Sequence, residues 1–159
     1  MGIIAVRDEI AITEPGAARQ SGMEVEANMN DRNDTTTLFG ALGGSAGVEA
    51  LVEAFYPRVQ RDPLIGPLFP EDITPVMEKQ KLFLTQFFGG PPLYSDQFGH
   101  PMMRMRHMPF PITPARAEAW LGCMGEALND IGAAPALRQA VLEWLSGPAH
   151  HFVNTYSED

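Results

Sequence analysis

The sequence predicts a single all-α domain. Apolar residues recur every three or four positions in four long stretches, which is the spacing of one buried helix face. Proline and glycine stand between those stretches, and no segment alternates apolar and polar residues as a half-buried strand would. At 159 residues the chain is long enough for one domain with a sizeable core.

Two long helices are predicted in the first half of the folded region. LFGALGG gives a short helical turn and a glycine hinge, and the first long helix follows from Ser45 to the stop at Asp62-Pro63. The apolar positions of that helix are Val48, Leu51, Val52, Phe55, Tyr56 and Val59. The corner PLIGPLFP then places Phe69, and Thr74 is predicted to cap the second helix, which ends at Phe88 before GGPP. The buried side of the second helix carries Val76, Gln80, Phe83, Leu84 and Phe87.

The second half of the chain adds three further helices. Tyr94 to Phe98 is predicted as a loop or short turn, and Pro101 as the start of a short helix that carries His107. Thr113-Pro114 repeats the cap signature, and the helix it opens runs to Gly132. The apolar face of that helix consists of Ala117, Trp120, Leu121, Met124, Leu128 and Ile131. The last helix starts near Pro135, and Pro148 predicts a kink or break in it near Ser146-Gly147.

Residues 1–36 differ from the rest of the chain. Small and polar residues are scattered through them without a sustained period, as in GAARQSG and NMNDRNDTTT. We therefore predict an N-terminal extension over residues 1–36, flexible or docked on the domain, and a folded domain over residues 37–159.

Composition excludes several classes of protein. Eleven Lys and Arg against twenty Asp and Glu give a net charge of −9, which argues against a nucleic-acid or anionic-membrane surface. No apolar run approaches the roughly 18 residues of a spanning helix. The apolar patch at the start of MGIIAVRDEI ends before Arg7 and is too short for a secretory signal. Cys123 is the one cysteine, so no internal disulfide forms. We expect a cytoplasmic protein in which Cys123 is a small buried hydrophobe.

The stretch YSDQFGHPMMRMRHMPFPI, from Tyr94 to Ile112, is chemically unusual. It places two histidines, two arginines and four methionines side by side and ends in two prolines. An imidazole in apolar surroundings beside guanidinium groups is suited to a flat, anionic, mostly apolar ligand held by one metal bond, which describes haem. The competing interpretation is a packed core histidine beside two solvated arginines.

Four separated motifs carry a family resemblance. FYPRVQRDPLIGPLFPED, KQKLFLTQFFGGPPLY, GHPMMRMRHMPFPIT and RAEAWLGCM, in this order, resemble the second group of truncated haemoglobins over about residues 38–155. The resemblance implies a truncated globin domain, a two-over-two helical sandwich that holds haem b (iron protoporphyrin IX) and binds O2.

The resemblance also implies which residues hold the haem. His107, in the RMRH motif, is the expected proximal iron ligand through Nε2, and His100 is a competitor that Pro101 separates from the same helix. Arg104 is expected to face solvent, and the adjacent histidines His150 and His151 point about 100° apart on a helix and are expected in solvent or at the border of the site. The positions that contact the haem or its propionates are Arg106, Lys79, Tyr94, Phe69 and Phe83.

Three polar side chains are expected on the distal side of the haem. The family positions map to Tyr56, Gln80 and Trp120, all hydrogen-bond donors, although the two aromatics also suit simple core packing. Gln80 on a buried face needs a partner, since an unsatisfied amide costs roughly 1–3 kcal/mol. Val76 stands where vertebrate globins carry a gating histidine, and Phe69 stands where some relatives carry a second pocket tyrosine.

The leading functional hypothesis is reversible, high-affinity O2 binding with slow release. CO, NO and peroxide are further ligands, a reductase is a candidate partner, and the protein is expected to be a monomer or homodimer without nucleic-acid or membrane partners. The alternative is a haem enzyme with peroxidase-like or nitric-oxide-detoxifying activity. A third hypothesis is a haem-free helical interaction module whose methionine-rich segment binds a partner helix. A zinc hydrolase is disfavoured because no HExxH spacing is present.

Overall fold

The computed structural model describes residues 37–102, 105 and 107–156, and the regular elements within them are all helical. They are α1 (Leu38–Ala41), α2 (Gly44–Arg61), α3 (Thr74–Phe87), α4 (Leu93–Phe98), α5 (Pro114–Asp130) and α6 (Pro135–His151), with a 3-10 turn at Gly66–Leu68. The predicted all-α class is confirmed, while the predicted extension over residues 1–36 lies outside the described residues. None of the helices in the described ranges is long and apolar enough to cross a membrane.

The helices form two layers. Helix α3 packs on α2 in one layer, α6 packs on α5 in the other, and the contact between α2 and α5 joins the layers into a two-over-two sandwich. The interface buries the apolar faces that helical spacing predicted, including Leu51, Val52 and Phe55 of α2 and Met124 and Leu128 of α5. Burial of each such side chain contributes roughly 1.5–3 kcal/mol, so the sandwich rests mainly on these faces.

The N-terminal ends of α5 and α3 are built differently. In α5 the hydroxyl oxygen Oγ1 of Thr113 accepts a hydrogen bond from the backbone N–H of Arg116 at 3.1 Å, as its sequence predicted. The predicted cap of α3 is wrong, because Thr74 is already the first helical residue. The side chain of Asp72 accepts from the backbone N–H of Thr74 at 3.1 Å, so a carboxylate upstream takes the place of the predicted hydroxyl.

Two predictions about prolines need correction. Helix α6 continues through Pro148 to His151, so of the predicted kink or break near Ser146-Gly147 the break is wrong. Pro148 removes one N–H from the helix, and the packing of Val141, Leu145 and Ala149 against the core outweighs that loss. Pro101 does not start a helix either, since its backbone and that of Met102 are irregular, whereas Met105 and His107 have helical backbone.

The glycines of GGPPLY bring α1 against the end of α3. The backbone N–H of Phe39 donates to the carbonyl oxygen of Phe88 at 2.9 Å. A Cβ on Gly90 would lie 2.8 Å from the ring of Phe39 and 2.9 Å from the carbonyl oxygen of Thr85, so only glycine allows this approach. At the last residue of α3, the carbonyl oxygen of Phe87 accepts from the Nε1–H of the exposed Trp144 at 3.1 Å, which ties α6 to α3.

Candidate functional site

His107 is a buried histidine held against an aromatic ring. Only 2% of its surface is exposed, although it lies at the end of a helical segment beside exposed methionines. Its imidazole is parallel to the ring of Phe152, with ring centroids 4.6 Å apart and planes 9° apart. Phe152 follows the end of α6 directly, so the last helix and the loop of His107 share this contact.

The imidazole of His107 lines an apolar cleft whose empty space, with the open solvent at its mouth included, is about 380 Å³. The side chains come from the corner after α2, the loop after His107, and helices α5 and α6. We call this space the His107 cleft, and its walls are Ile65, Leu68, Phe69, His107, Ile112, Arg116, Ala117, Trp120, Ala149 and Phe152. Mostly apolar walls with a few polar groups are typical of ligand and cofactor sites.

Arg116 bridges the two loops that flank the His107 cleft. Its Nε donates to the carbonyl oxygen of Leu64 at 3.3 Å, in the corner after α2. Its Nη1 donates to the carbonyl oxygen of Pro111 at 2.9 Å, in the loop after His107. The guanidinium therefore fixes the separation of these loops on one side of the cleft.

Three predicted donor residues are buried with unsatisfied polar atoms. The hydroxyl of Tyr56, both amide atoms of Gln80 and Nε1 of Trp120 make no hydrogen bond within the described residues. Burial raises the pKa of Tyr56 well above its ordinary value, so its hydroxyl keeps its proton and can donate. Nε2 of His107 is also buried.

The structure brings several predicted site residues to the His107 cleft or next to it. Trp120 and Phe69 line the cleft together with His107. The ring of Tyr56 meets Phe69 edge-on with centroids 6.0 Å apart, so Tyr56 lies directly behind a cleft wall. Val76 and Gln80 are buried on the side of α3 that also carries Phe83.

A second cleft adjoins the first at Phe152. It is open to solvent, holds about 910 Å³ of space, and is lined by Phe83, Phe87, His100, Pro101, Met102, Met105, Pro148, His151 and Phe152. His100 and His151 are thus exposed side chains on the wall of this second cleft and do not line the His107 cleft.

The side chain of His150 contacts a surface residue of α5, Glu118. Its Nε2 lies 2.6 Å from a carboxylate oxygen of Glu118, and its Nδ1 lies 2.9 Å from the carbonyl oxygen of Ser146. The hydrogen bond with Glu118 is the main reason that the pKa of His150 is raised. His150 therefore joins α5 to α6 at the surface, in agreement with the expectation of a solvated side chain.

The residues predicted to contact haem propionates are partly described. Arg106 lies outside the described residues, as does Arg104, which was expected to face solvent. The Nζ of Lys79 lies 4.7 Å from the centre of the Phe98 ring, a cation–π contact. Tyr94 is buried and packs edge-on against Phe83, at 5.8 Å between centroids, and against Phe98.

Asn154 is a site residue that sequence reasoning missed. Its side-chain Nδ2 donates to the carbonyl oxygens of His107 at 3.2 Å and Phe110 at 3.0 Å. Its Oδ1 accepts from the backbone N–H of Ile112 at 3.0 Å. Asn154 follows the last helix in a segment without periodicity, so no pattern in the chain pointed to it. Neither Phe152 nor Arg116 was assigned to the site from the sequence.

Comparison with known proteins is consistent with this arrangement. Residues 37–154 match the model of the family described as bacterial-like globin. The chain is 49% identical over 117 residues to the group 2 truncated hemoglobin YjbI of Bacillus subtilis, covering 73% of this chain and 89% of that protein.

Solved structures give the same result. The group II truncated hemoglobin of Bacillus anthracis superposes with a TM-score of 0.75 at 50% identity, covering 79% of this chain and 96% of that one. A truncated oxygen-avid haemoglobin from Bacillus subtilis superposes with a TM-score of 0.71 at 46% identity, covering 75% and 100%. The chain therefore belongs to the bacterial-like globins, and within them to the group 2 truncated haemoglobins.

Proposed function

We propose that this protein binds haem b in the His107 cleft and uses it to bind O2 reversibly, with high affinity and slow release. His107 is the proximal ligand through Nε2, and Tyr56, Gln80 and Trp120 are the distal hydrogen-bond donors. The single observation that carries the proposal is that these three distal side chains are buried with polar atoms that no protein group satisfies within the described residues.

The buried polar atoms of Tyr56, Gln80 and Trp120 indicate whether these residues suit a haem pocket. Each buried polar group without a partner costs roughly 1–3 kcal/mol, so three such side chains together are a substantial cost for a core of simple packing. A small polar ligand on the side of Tyr56, Gln80 and Trp120 would satisfy them. The imidazole of His107 and the apolar walls of the cleft suit a porphyrin, and the donor set suits the ligand that a haem iron binds.

Bound haem would supply an iron with one imidazole ligand and one coordination position for a diatomic molecule. The chain's own residues supply the remainder. Phe69, in the wall of the His107 cleft, and Phe83, in the wall of the adjoining second cleft, offer apolar ring surface. His107 offers a lone pair from a ring that lies parallel to Phe152. Val76 adds no polar group, so a histidine gate of the vertebrate type is absent at this position.

The family resemblance suggests three residues that would contact the haem propionates. Arg106, directly before His107, is our candidate for one propionate, because a guanidinium pairs with a carboxylate through two hydrogen bonds. Lys79 and Tyr94 are candidates for the other contacts. Lys79 is half-buried over the Phe98 ring, and its flexible stem allows Nζ to move from the ring to an anionic group.

Slow release follows from the number of donors. Tyr56 and Trp120 present one N–H or O–H each, and Gln80 presents two N–H groups. Donors favour a bound species that gains negative charge, which is true of O2 and less so of CO. At roughly 1 kcal/mol of net free energy for each bond, two bonds slow dissociation by about thirtyfold. Such a protein is better suited to sensing, scavenging or turnover of O2 than to bulk delivery.

A reductase partner, a monomeric or homodimeric state and a cytoplasmic location are part of the same proposal. The acidic charge of the chain argues against nucleic-acid contacts. The single cysteine is buried and free, which suits a reducing compartment. Enzymatic use of the same iron, with peroxide or nitric oxide, is the second candidate function, since the same donors would polarise those ligands.

The test is a set of absorption spectra with and without haemin. We expect the wild-type protein to bind haemin with a Soret band typical of one histidine ligand, and His107→Gly to lose that band and regain it with added imidazole. His100→Gly is the matched control, because His100 is exposed and does not line the His107 cleft. A His107→Gly protein with an unaltered spectrum would overturn the assignment of the ligand. No Soret band in wild type would instead favour the haem-free interaction module.

A further inference from the structure

We propose that Asn154 is a positioning residue for the iron ligand: its side-chain amide fixes the backbone of His107 and thereby the direction in which the imidazole enters the cleft. This inference rests on the proposed role of His107 as proximal ligand. It assigns a function to the segment after α6, which no motif of the sequence had marked.

The hydrogen bonds of Asn154 reach both ends of the loop that follows His107. Nδ2 donates to the carbonyl oxygens of His107 at 3.2 Å and of Phe110 at 3.0 Å. Oδ1 accepts from the N–H of Ile112 at 3.0 Å. The main chain completes the attachment, since the N–H groups of Asn154 and Thr155 donate to the carbonyl oxygen of Ile112 at 2.9 Å and 3.1 Å.

Only an amide side chain meets all of these requirements. The carbonyl oxygen of His107 accepts from the backbone N–H of Phe110 at 3.0 Å, and its second lone pair accepts from the side chain of Asn154. The loop therefore presents two carbonyl acceptors and one N–H donor to the same side chain. An asparagine has two N–H donors and one acceptor oxygen, whereas an aspartate has acceptors alone when ionised.

The same short segment also holds the ring of His107. Phe152, two residues before Asn154, lies parallel to the imidazole at 4.6 Å between centroids. The ring plane and the backbone of His107 are thus both set by residues 152–154. The side-chain amide of Asn154 contacts the His107 loop through backbone atoms, and its Oδ1 also accepts from the hydroxyl of Thr155 at 2.8 Å. A change at Asn154 therefore acts on the imidazole through the main chain of the loop.

The experiment compares Asn154→Ala and the isosteric Asn154→Asp with wild type, each loaded with haemin. Two quantities are measured: the rate of haem loss to an excess of a haem-accepting apoglobin, and the frequency of the iron–histidine stretch in the ferrous protein by resonance Raman spectroscopy. We expect haem loss to rise about tenfold, which corresponds to one or two lost hydrogen bonds, and the stretch to shift. The control is Asn129→Ala, an exposed asparagine near the end of α5.

A second background separates positioning from general damage. In His107→Gly with added imidazole, the iron ligand is no longer attached to the backbone. Asn154→Ala in that background should therefore leave the iron–imidazole stretch unchanged, whereas a loosened pocket would shift it as well. If Asn154→Ala does not fold, Asn154→Ser, which keeps one hydroxyl donor, carries the same comparisons.

The outcomes distinguish this inference from the proposed function. If imidazole fails to restore the spectrum of His107→Gly, the proposed function fails first. If it restores the spectrum while Asn154→Ala and Asn154→Asp lose haem at the wild-type rate with an unshifted stretch, the positioning role is wrong and His107 remains the ligand. An equal shift in the imidazole background would also overturn it, because the effect would not pass through the backbone.

Discussion

The imidazole ring of His107 lies parallel to the phenyl ring of Phe152, with planes 9° apart and centroids 4.6 Å apart. A histidine that binds iron can rotate about the bond between Cβ and the ring, and a flat neighbour at this distance restricts that rotation. Because Phe152 is 8% exposed and lines both clefts, its side chain contributes to the core and to the site together.

Phe152→Ala should lower the free energy of unfolding of the haem-free protein by about 3 kcal/mol, as expected for the loss of a buried aromatic side chain. Urea denaturation measures this change, and faster haem loss from the loaded protein should accompany it. Phe152→Leu is the matched control, since it keeps most of the apolar volume and should cost under about 1.5 kcal/mol. Equal stability of Phe152→Ala and wild type would show that the ring contact is dispensable.

Gln80→Leu should stabilise the haem-free protein and weaken O2 binding in the haem-bound protein. Without a ligand, the change removes two unsatisfied polar atoms and should stabilise the protein by about 1 kcal/mol. With haem bound it should speed O2 dissociation, and together with Trp120→Phe the increase should be about thirtyfold. Stopped-flow O2 release and urea denaturation are the measurements. Gln97→Leu, at an exposed position of α4, is the control. Wild-type rates in the double variant would refute the donor role.

Cys123 should react slowly with thiol reagents in the folded protein. Burial raises the pKa of its thiol to about 11, and the negative charges of Asp62 and Glu126 act in the same direction. At pH 8 the thiolate population is about a hundredth of that of an ordinary thiol. Labelling with an aromatic disulfide reagent should therefore be at least that much slower than in urea. Equal rates in the two conditions would mean that Cys123 is reached from solvent.

The pair of His150 and Glu118 should make stability depend weakly on pH. The raised pKa of His150 means that its stabilisation is fully present below the unfolded pKa, about 6.5, and is lost as pH rises through the folded value. Both side chains are largely exposed, so the effect should be below about 1 kcal/mol.

A double-mutant cycle measures that effect. Unfolding of wild type, His150→Gln, Glu118→Gln and the double variant is followed at pH 5 and pH 8. The coupling between the two side chains should be present at pH 5 and smaller at pH 8. A coupling that grows with pH would contradict the assigned direction.

Helical spacing predicted the fold well because burial dominates it. The apolar faces of α2, α3 and α5 are the faces that the structure buries, since an amphipathic helix has one low-energy orientation on a core. The family resemblance placed Phe69 and Trp120 in one pocket with His107, and both side chains line the cleft with it. Trp120 lies on a predicted apolar helix face, which a single sequence reveals, whereas Phe69 lies in the corner after α2, where spacing gives no such signal.

The remaining errors and omissions depend on polar contacts between distant segments. Asn154 contacts His107 across 47 residues, and such a pair leaves no periodic signal. The cap of α3 was predicted at Thr74 because a hydroxyl before proline is common there, yet the carboxylate of Asp72 was the better-placed acceptor. The continuation of α6 through Pro148 reflects core packing, which proline propensity does not include.

The two tryptophans occupy contrasting environments, one in the wall of the His107 cleft and one on the surface, where its N–H meets the carbonyl of Phe87. Energy transfer from tryptophan to a porphyrin falls steeply with distance. Bound haem should therefore quench the emission of Trp120 more strongly than that of Trp144. Trp144, 56% exposed, should emit at longer wavelength. In Trp144→Phe, Trp120 is the one remaining tryptophan. Its fluorescence should then measure how much of the protein has haem in the His107 cleft, without an added dye.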